Sequence, residues 1–167
     1  MCRLGAEVTG IDASAETIEA ARHHANALGL EIDYKQVLPE NLGMQARHFD
    51  IVLSMEVIEH VEERELFLKT TAKLLRPGGT MFVSTLNRTL KSLILAKLGA
   101  EYVLRWLPIG THKWKNFVRP SELANAFCPY GMHVRDITGL SYNALDKEWR
   151  HSRDLDINYI MTLIKGS

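Results

Sequence analysis

The sequence of 167 residues lacks the patterns that define several common protein classes. Its only two cysteines, Cys2 and Cys128, form no paired-cysteine motif, which argues against a disulfide-stapled domain or a zinc ribbon. Its 20 basic and 20 acidic residues cancel, so we expect no nucleic-acid partner. The longest apolar tract is interrupted by three charged residues, which excludes it as a membrane-spanning helix.

A glycine-rich nucleotide loop is also missing. The stretch "GAEVTGID" is typical of a buried strand that ends on an acid, Asp12. In nucleotide-binding α/β folds such an acid holds the ribose hydroxyls, about 20 residues after a glycine-rich loop. Only eleven residues precede Asp12, and no GxGxG follows it. Asp12 is therefore either a cap for the next helix or one half of a nucleotide site whose other half lies upstream.

What is present is an alternation of strands and helices. A content of 46% apolar and 24% charged residues is typical of one globular domain with a real core. Ser14 and Gly29 bound a predicted helix, and the stretches "LEIDYKQV", "FDIVLSM" and "TMFVSTLN" are predicted strands. The stretch "EVIEHVEERELFLKTTAKLL" is a predicted helix. This order predicts an α/β fold, a parallel sheet with helices on both faces.

The last third of the chain has a different pattern. An amphipathic helix is predicted over about 89–107 and another from Ser121 to about Phe127. Two late strands, around "MHVRDITGL" and "INYIMTLI", predict a closing antiparallel hairpin at the sheet edge.

An acidic cluster follows the "FDIVLSM" strand. If a helix begins near Glu56, then Glu56, Glu59 and His60 share one face, where two carboxylates and an imidazole could bind a divalent cation. The alternative is a solvated acidic first turn, stabilised by the helix dipole. Spacing alone favours the solvated turn. The position at the carboxyl end of a strand, where α/β sheets bind ligands, makes the cation site nearly as well supported.

Two further features have open interpretations. The tract from Leu90 to Leu107 carries Trp and Tyr beside basic residues, so it is either a packed helix or a surface for lipid or an apolar substrate. His112 lies in the following loop without a visible partner. It is a weak candidate for a general base, because its unperturbed pKa lies near neutrality.

Five stretches together resemble one known family. They are "GAEVTGID", "FDIVLSMEVIEHV", "LLRPGGTMFVSTLNRT", "GAEYVLRWLPIGTH" and "DINYIMTLI". They resemble the ubiquinone-biosynthesis O-methyltransferases, class I enzymes that use S-adenosylmethionine. The resemblance extends over residues 1–167. It implies a single partial methyltransferase domain with a Rossmann-like sheet. Residues of about 89–127 would then be an insertion that faces substrate and membrane.

The resemblance also implies roles for individual residues. Asp12 would bind the ribose of the cofactor and Met55 would contact S-adenosylmethionine. Glu56, Glu59 and His60 would be ligands of Mg²⁺. The substrate would be a polyprenylated catechol-like intermediate of ubiquinone synthesis, methylated on a ring hydroxyl. We therefore expect peripheral contact with the bacterial inner membrane from the cytoplasm, or the matrix side in mitochondria, and a link to a quinone-biosynthesis complex.

One departure from the family affects these expectations. The family's first strand and glycine-rich loop are absent, and that strand belongs in the middle of the sheet, so its neighbours would lack a partner. A non-catalytic remnant that acts as a membrane-peripheral binding partner is thus the alternative to an enzyme. The joint presence of Asp12, Met55, Glu56, Glu59 and His60 favours the enzyme.

Overall fold

The computed structural model describes residues 1–42, 48–94, 114–143, 146 and 148–166. It divides into two compact units, Met1–Arg47 and His48–Ser167. The expectation of a single partial domain stays a prediction, and each unit is described by itself.

The first unit is a strand–helix–strand arrangement around one parallel strand pair. Ser14 begins its main helix, because its hydroxyl accepts a hydrogen bond from the amide of Thr17 at 3.2 Å. Gly29 follows the helix with φ of 63°, a conformation that glycine adopts without strain. The elements are a 3₁₀ turn at Cys2–Leu4, β1 (Thr9–Asp12), α1 (Ala15–Ala27), β2 (Asp33–Gln36) and α2 (Pro39–Leu42). Strands β1 and β2 are parallel, with Asp12 opposite Gln36.

The second unit is built on a five-stranded sheet in the order β3-β4-β7-β5-β6. Its strands are β3 (Phe49–Met55), β4 (Leu75–Leu86), β5 (Met132–Asn143), β6 (Glu148–Ser152) and β7 (Asn158–Lys165). Its helices are α3 (Arg64–Leu74), α4 (Leu90–Leu93) and α5 (Pro120–Phe127), with 3₁₀ turns at Ile58–His60, Trp114–Asn116 and Cys128–Tyr130. Helix α5 and the strands predicted in this unit are confirmed.

The antiparallel pairing predicted for the two late strands is confirmed, since β5 and β7 are antiparallel neighbours. Strand β7 also pairs antiparallel with β4, so it joins this pair to the rest of the sheet. The physical reason is burial, because Tyr159, Met161 and Leu163 are completely buried at every second position. Strand β6 was not predicted, since "EWRHS" has no alternation of apolar and polar residues.

The core of the second unit fixes the edge at which β3 and β4 end. Removing each large apolar side chain from water contributes about 1.5–3 kcal/mol. The fully buried members are Ile58, Leu75, Met81, Leu123, Phe127, Tyr159, Met161 and Leu163.

Within the described residues, no helix is both long enough and apolar enough to cross a membrane.

Strand β3 is the end strand of this sheet. Within the described part of this unit, nothing pairs with its outer edge. On one face of β3, the side chains of Ile51, Leu53 and Met55 are exposed. An end strand that has both free backbone groups and exposed apolar side chains is unusual, because a strand of another molecule can pair with it.

Candidate functional site

Asp12 lies at the carboxyl end of β1 and is half-buried. Its Oδ1 accepts a hydrogen bond from the amide of Ser14 at 2.7 Å, so the carboxylate closes the turn that leads into α1. Among the described residues, none donates to Oδ2. The carboxylate therefore performs the capping role and keeps one oxygen for a ligand, so the two interpretations of Asp12 are compatible.

Met55 is the last residue of β3 and lies opposite Ser84 of β4. Its side chain is 44% exposed, whereas the residue before it in the strand, Ser54, is buried. The exposure leaves its side chain accessible to a ligand at the carboxyl edge of the sheet. Its contact with a cofactor stays a prediction.

The predicted helix from Glu56 is wrong at its start. Glu56 has φ of 54°, in the left-handed region that residues other than glycine rarely adopt. Its amide donates to the carbonyl oxygen of Ser84 at 3.1 Å and lies 3.0 Å from the Ser84 hydroxyl, so it is bonded to β4 instead of beginning a helix. A 3₁₀ turn follows at Ile58–His60, and α3 begins only at Arg64.

Two neighbouring hydroxyls of β4 hold two carboxylates. Ser84 Oγ donates to Glu56 Oε1 at 2.7 Å, and Thr85 Oγ1 donates to Glu59 Oε2 at 2.9 Å. Glu59 is only 3% exposed, and its second oxygen, Oε1, is buried without a hydrogen-bond partner. A buried acceptor without a donor is costly and rare, so it marks this carboxylate as a place where a further group belongs.

The two carboxylates influence each other. Burial of its carboxyl group is the largest of the causes that raise the pKa of Glu56 to about 7, and repulsion from Glu59 adds to it. The hydrogen bond from Ser84 opposes the shift. The residue as a whole is exposed, but its carboxyl end lies against β4 and near Glu59. Two close carboxylates in this setting favour a shared proton or a cation.

The third predicted metal ligand does not join them. The described residues contain no group of three or more His, Cys, Asp or Glu side chains that could hold a metal ion. His60 is exposed at the end of the 3₁₀ turn. The i, i+3, i+4 face assumed for Glu56, Glu59 and His60 requires an α-helix, and no α-helix forms there.

Sequence reasoning missed the residues that hold the loop of Glu59. Asn116 Nδ2 donates to the Glu59 carbonyl oxygen at 3.1 Å, and Arg64 Nη2 donates to the Asn116 carbonyl oxygen at 2.9 Å. The hydroxyls of Ser84 and Thr85 could have been found, because "STLN" ends a predicted strand of the same parallel sheet, where ligands bind at the carboxyl ends of strands. Asn116 carries no such signal, since it lies 57 residues from Glu59.

Of the amphipathic tract, the structure describes only the start, residues 90–94. Trp114 Nε1 donates to the Thr89 carbonyl oxygen at 3.0 Å, and the Thr89 hydroxyl caps α4 by accepting from the amide of Ser92. The bond from Trp114 joins the turn at Trp114–Asn116 to the residue that precedes α4. Most of the tract from Leu90 to Leu107, and His112, lie outside the described residues, so both interpretations of the tract and the suggested role of His112 stay predictions.

Comparisons with known proteins agree on one family. A sequence model described as "Methyltransferase domain" matches residues 1–83. The chain is 53% identical over 161 residues, 96% of its length, to the ubiquinone biosynthesis O-methyltransferase of Chelativorans sp. (strain BNC1), and it covers 64% of that protein. It is 48% identical over 166 residues to the protein of the same name from Pelagibacter ubique (strain HTCC1062), covering 99% of this chain and 69% of that one.

The fold has counterparts among solved structures. Magnesium protoporphyrin IX methyltransferase from Synechocystis PCC 6803, solved with bound SAH, superposes with a TM-score of 0.66 at 16% identity, over 99% of this chain and 68% of that one. The chain spans about two thirds of the length of the two sequence relatives named above. Its sheet is that of a class I methyltransferase, and the chain belongs to the S-adenosylmethionine-dependent ubiquinone biosynthesis O-methyltransferase family.

Proposed function

We propose that this chain forms part of an enzyme that transfers a methyl group from S-adenosylmethionine to a ring hydroxyl of a polyprenylated, catechol-like intermediate of ubiquinone synthesis. The observation that carries the proposal is the identity of about half of all residues to proteins of that name over nearly the whole chain. The carboxyl ends of β1 and β3, where Asp12 and Met55 stand, are the places where open α/β sheets bind ligands.

Asp12 would bind the cofactor through its ribose. A carboxylate accepts hydrogen bonds at both oxygens, which suits the two neighbouring hydroxyls of a ribose. Oδ1 already accepts from the amide of Ser14, so Oδ2 would be the oxygen that makes the main contact with the ligand. Met55 would contact the cofactor from the end of β3.

The reaction requires alignment more than elaborate catalysis. The bond between the sulfonium sulfur and the methyl carbon breaks as the bond from the ring oxygen to that carbon forms, and the hydroxyl loses its proton. Holding donor and acceptor in line supplies much of the rate enhancement. No residue is assigned as the base, and His112 stays a weak candidate.

A divalent cation, Mg²⁺ in the family, belongs to this proposal. The unpartnered Oε1 of Glu59 beside the Glu56 carboxylate fits one side of such an ion, since hard cations prefer carboxylate oxygens. Glu56 and Glu59 would be its ligands in this chain, and among the described residues His60 forms no cluster with them that could hold a metal ion. When bound, the ion would lower the pKa of the ring hydroxyl and orient both catechol oxygens.

The cellular setting follows from the proposed substrate. A polyprenyl chain is strongly apolar, so we place the enzyme at the cytoplasmic face of the bacterial inner membrane, in reach of a quinone-biosynthesis complex. The tract from Leu90 to Leu107 is one candidate for membrane contact. Liposome flotation should then decrease when Trp106→Glu is combined with Leu107→Glu, and unchanged flotation would exclude this tract.

A chimera tests the methyl transfer. In the Pelagibacter ubique relative, the region that matches this chain is replaced by this chain, so the product has that relative's full length. We expect the chimera to label a prenylated catechol from S-adenosylmethionine carrying a radioactive methyl group. The unmodified relative is the positive control. A chimera that is folded and binds the cofactor, yet labels no prenylated catechol that the relative labels, contradicts the proposal.

Asp12→Asn in the chimera separates binding from capping. Asparagine keeps Oδ1 as the acceptor for Ser14 and removes the second carboxylate oxygen. Loss of a charged hydrogen bond should weaken cofactor affinity by about tenfold or more in isothermal titration. Ser14→Ala is the matched control, because it removes the cap of α1 and touches no predicted ligand. Equal affinities of Asp12→Asn and the parent would exclude the ribose role.

A further inference from the structure

We propose that Asn116 is a positioning residue for Glu59. Its side-chain amide holds the turn that carries Glu59, and this contact sets the affinity of the Glu56 and Glu59 carboxylates for a divalent cation. The inference rests on the cation of the proposed function and adds to it a residue from a distant part of the chain. In this proposal Asn116 acts through Glu59 rather than as a ligand.

The turn that carries Glu59 has little internal structure to fix it. Glu56 at its start adopts the left-handed conformation, and the 3₁₀ turn at Ile58–His60 is three residues long and has no side-chain cap. Such a short 3₁₀ turn contains few hydrogen bonds of its own. Contacts from elsewhere in the unit must therefore determine where the Glu59 backbone lies.

Glu59 is held at two points by two distant segments. At the backbone, Asn116 Nδ2 donates to the Glu59 carbonyl oxygen at 3.1 Å. At the carboxylate, Thr85 Oγ1 donates to Oε2 at 2.9 Å. With both points fixed and the side chain buried, few rotamers remain, and they determine the direction of the unpartnered Oε1. The Asn116 contact therefore contributes to the placement of the oxygen that would bind the cation.

Asn116 is itself held in place. Arg64 Nη2 donates to the Asn116 carbonyl oxygen at 2.9 Å. The next two residues, Phe117 and Val118, are buried, and the amide of Val118 donates to the Leu86 carbonyl oxygen at 3.1 Å. Asn116 is thus attached to the core and to the end of β4. A donor on such a rigid support fixes the position of the group that it binds.

The contacts of Asn116 close a connection across the turn. Glu59 lies in the 3₁₀ turn and Arg64 begins α3, and both are bonded to Asn116. Glu59 accepts from the side chain of Asn116, whereas Arg64 donates to its backbone carbonyl, which every residue has. A substitution at position 116 therefore removes the bond to Glu59 and keeps the acceptor for Arg64.

The alternative role of Asn116 is an ordinary structural hydrogen bond. Its side chain is half-buried, and one such hydrogen bond makes a modest contribution to folding. Residues that orient a metal ligand have a larger effect on the metal, because their loss typically weakens metal affinity by about 10–100-fold. Cation affinity and folding stability therefore separate the two roles.

Binding of MnCl₂ to the chain, measured by electron paramagnetic resonance, tests the proposal without cofactor or substrate. Carboxylates suit Mn²⁺ as they suit Mg²⁺. We expect Asn116→Leu, which has a similar size and no donor, to bind Mn²⁺ about tenfold more weakly than the parent. Asn116→Ala, which adds no bulk, should weaken binding in the same way. Asn116→Gln keeps the amide and should recover part of the affinity. Asn26→Leu, which replaces an exposed asparagine of α1, is the matched control and should bind as the parent does.

Thermal unfolding supplies a readout that a purely structural role would not move. A structural defect lowers the unfolding midpoint of Asn116→Leu by the same amount in chelator and in excess MgCl₂. Weaker cation binding makes the difference from the parent larger in MgCl₂, because a ligand stabilises the folded state according to its affinity. We expect the larger difference in MgCl₂.

Three results would overturn the positioning role while the parent binds the cation and the proposed function stands. In the first, Asn116→Leu binds Mn²⁺ as tightly as the parent. In the second, Asn116→Gln binds as weakly as Asn116→Leu. In the third, the midpoint difference is the same in chelator and in MgCl₂. A parent that binds no Mn²⁺ would instead remove the cation from the proposed function and this inference with it, and the chimera would still test the methyl transfer.

Discussion

Replacing Glu59 with glutamine should make the protein more stable in the absence of a divalent cation. Glutamine keeps an oxygen that accepts from Thr85, and its amide can donate to the Glu56 carboxylate, which lies within hydrogen-bonding reach. The amide nitrogen that replaces the unpartnered Oε1 then has a hydrogen-bond partner, and the repulsion between the two carboxylates is removed. An unpartnered buried polar atom costs about 1–3 kcal/mol, so we expect the free energy of unfolding to rise by about 1–2 kcal/mol.

The assay is thermal unfolding in chelator and in excess MgCl₂. In chelator the Glu59→Gln midpoint should lie about 4 °C above that of the parent. Magnesium should raise the midpoint of the parent and leave that of Glu59→Gln nearly unchanged, because one of two anionic ligands is gone. Glu62→Gln, an exposed residue of the same loop, is the control and should change the unfolding free energy by less than about 0.5 kcal/mol. A Glu59→Gln midpoint below that of the parent in chelator would refute the reasoning.

Two further substitutions test the packing that positions the site. Burial raises the pKa of Tyr159, so its hydroxyl stays protonated and donates to the Val118 carbonyl oxygen at 3.0 Å. Tyr159→Phe should therefore lower the free energy of unfolding in urea by about 1–2 kcal/mol. Gly139→Ala should lower it by about 1–3 kcal/mol, because the new Cβ would stand 1.9 Å from the Asp154 carbonyl oxygen.

Each of these two substitutions has a matched control. Tyr142→Phe removes a hydroxyl from an exposed tyrosine and should be nearly neutral in urea. Gly29→Ala meets no atom within 4 Å, so only its positive φ should lower the free energy of unfolding, by about 1–2 kcal/mol. Equal losses for Tyr159→Phe and Tyr142→Phe would show that the buried hydrogen bond contributes nothing. A Gly139→Ala variant as stable as the parent would show that the backbone at Asp154 moves away from the new Cβ without cost.

Much of the fold could be predicted because its signals are local. Neighbouring residues determine both the period-two burial of "NYIMTLI" and the serine cap of α1. Strand β7 and helix α1 accordingly form where the sequence predicts them. Strand β6 escaped prediction because its side chains are almost all exposed, so no apolar alternation marks it. The sequence also carries no mark of strand order, and the place of β7 between β4 and β5 depends on burial against both neighbours.

The candidate site could be predicted only in part. Glu56 and Glu59 were found from their spacing, on the assumption of a helix that does not form. They meet for another reason, because Ser84 and Thr85 of a distant strand bind the two carboxylates. Spacing arguments succeed where a regular element sets the geometry and fail where contacts distant in sequence set it.

By itself, the sequence determined the family and the alternation of strands and helices, along with the identity of the acids that stand at strand ends. These properties follow from local patterning and from residue identity. Only the tertiary structure decided that Glu59 is buried with a free oxygen, that His60 stands apart from it, and that Tyr142 and Trp149 form an exposed pair. Burial and pairing arise when residues far apart in the chain are packed together, so no local pattern encodes them.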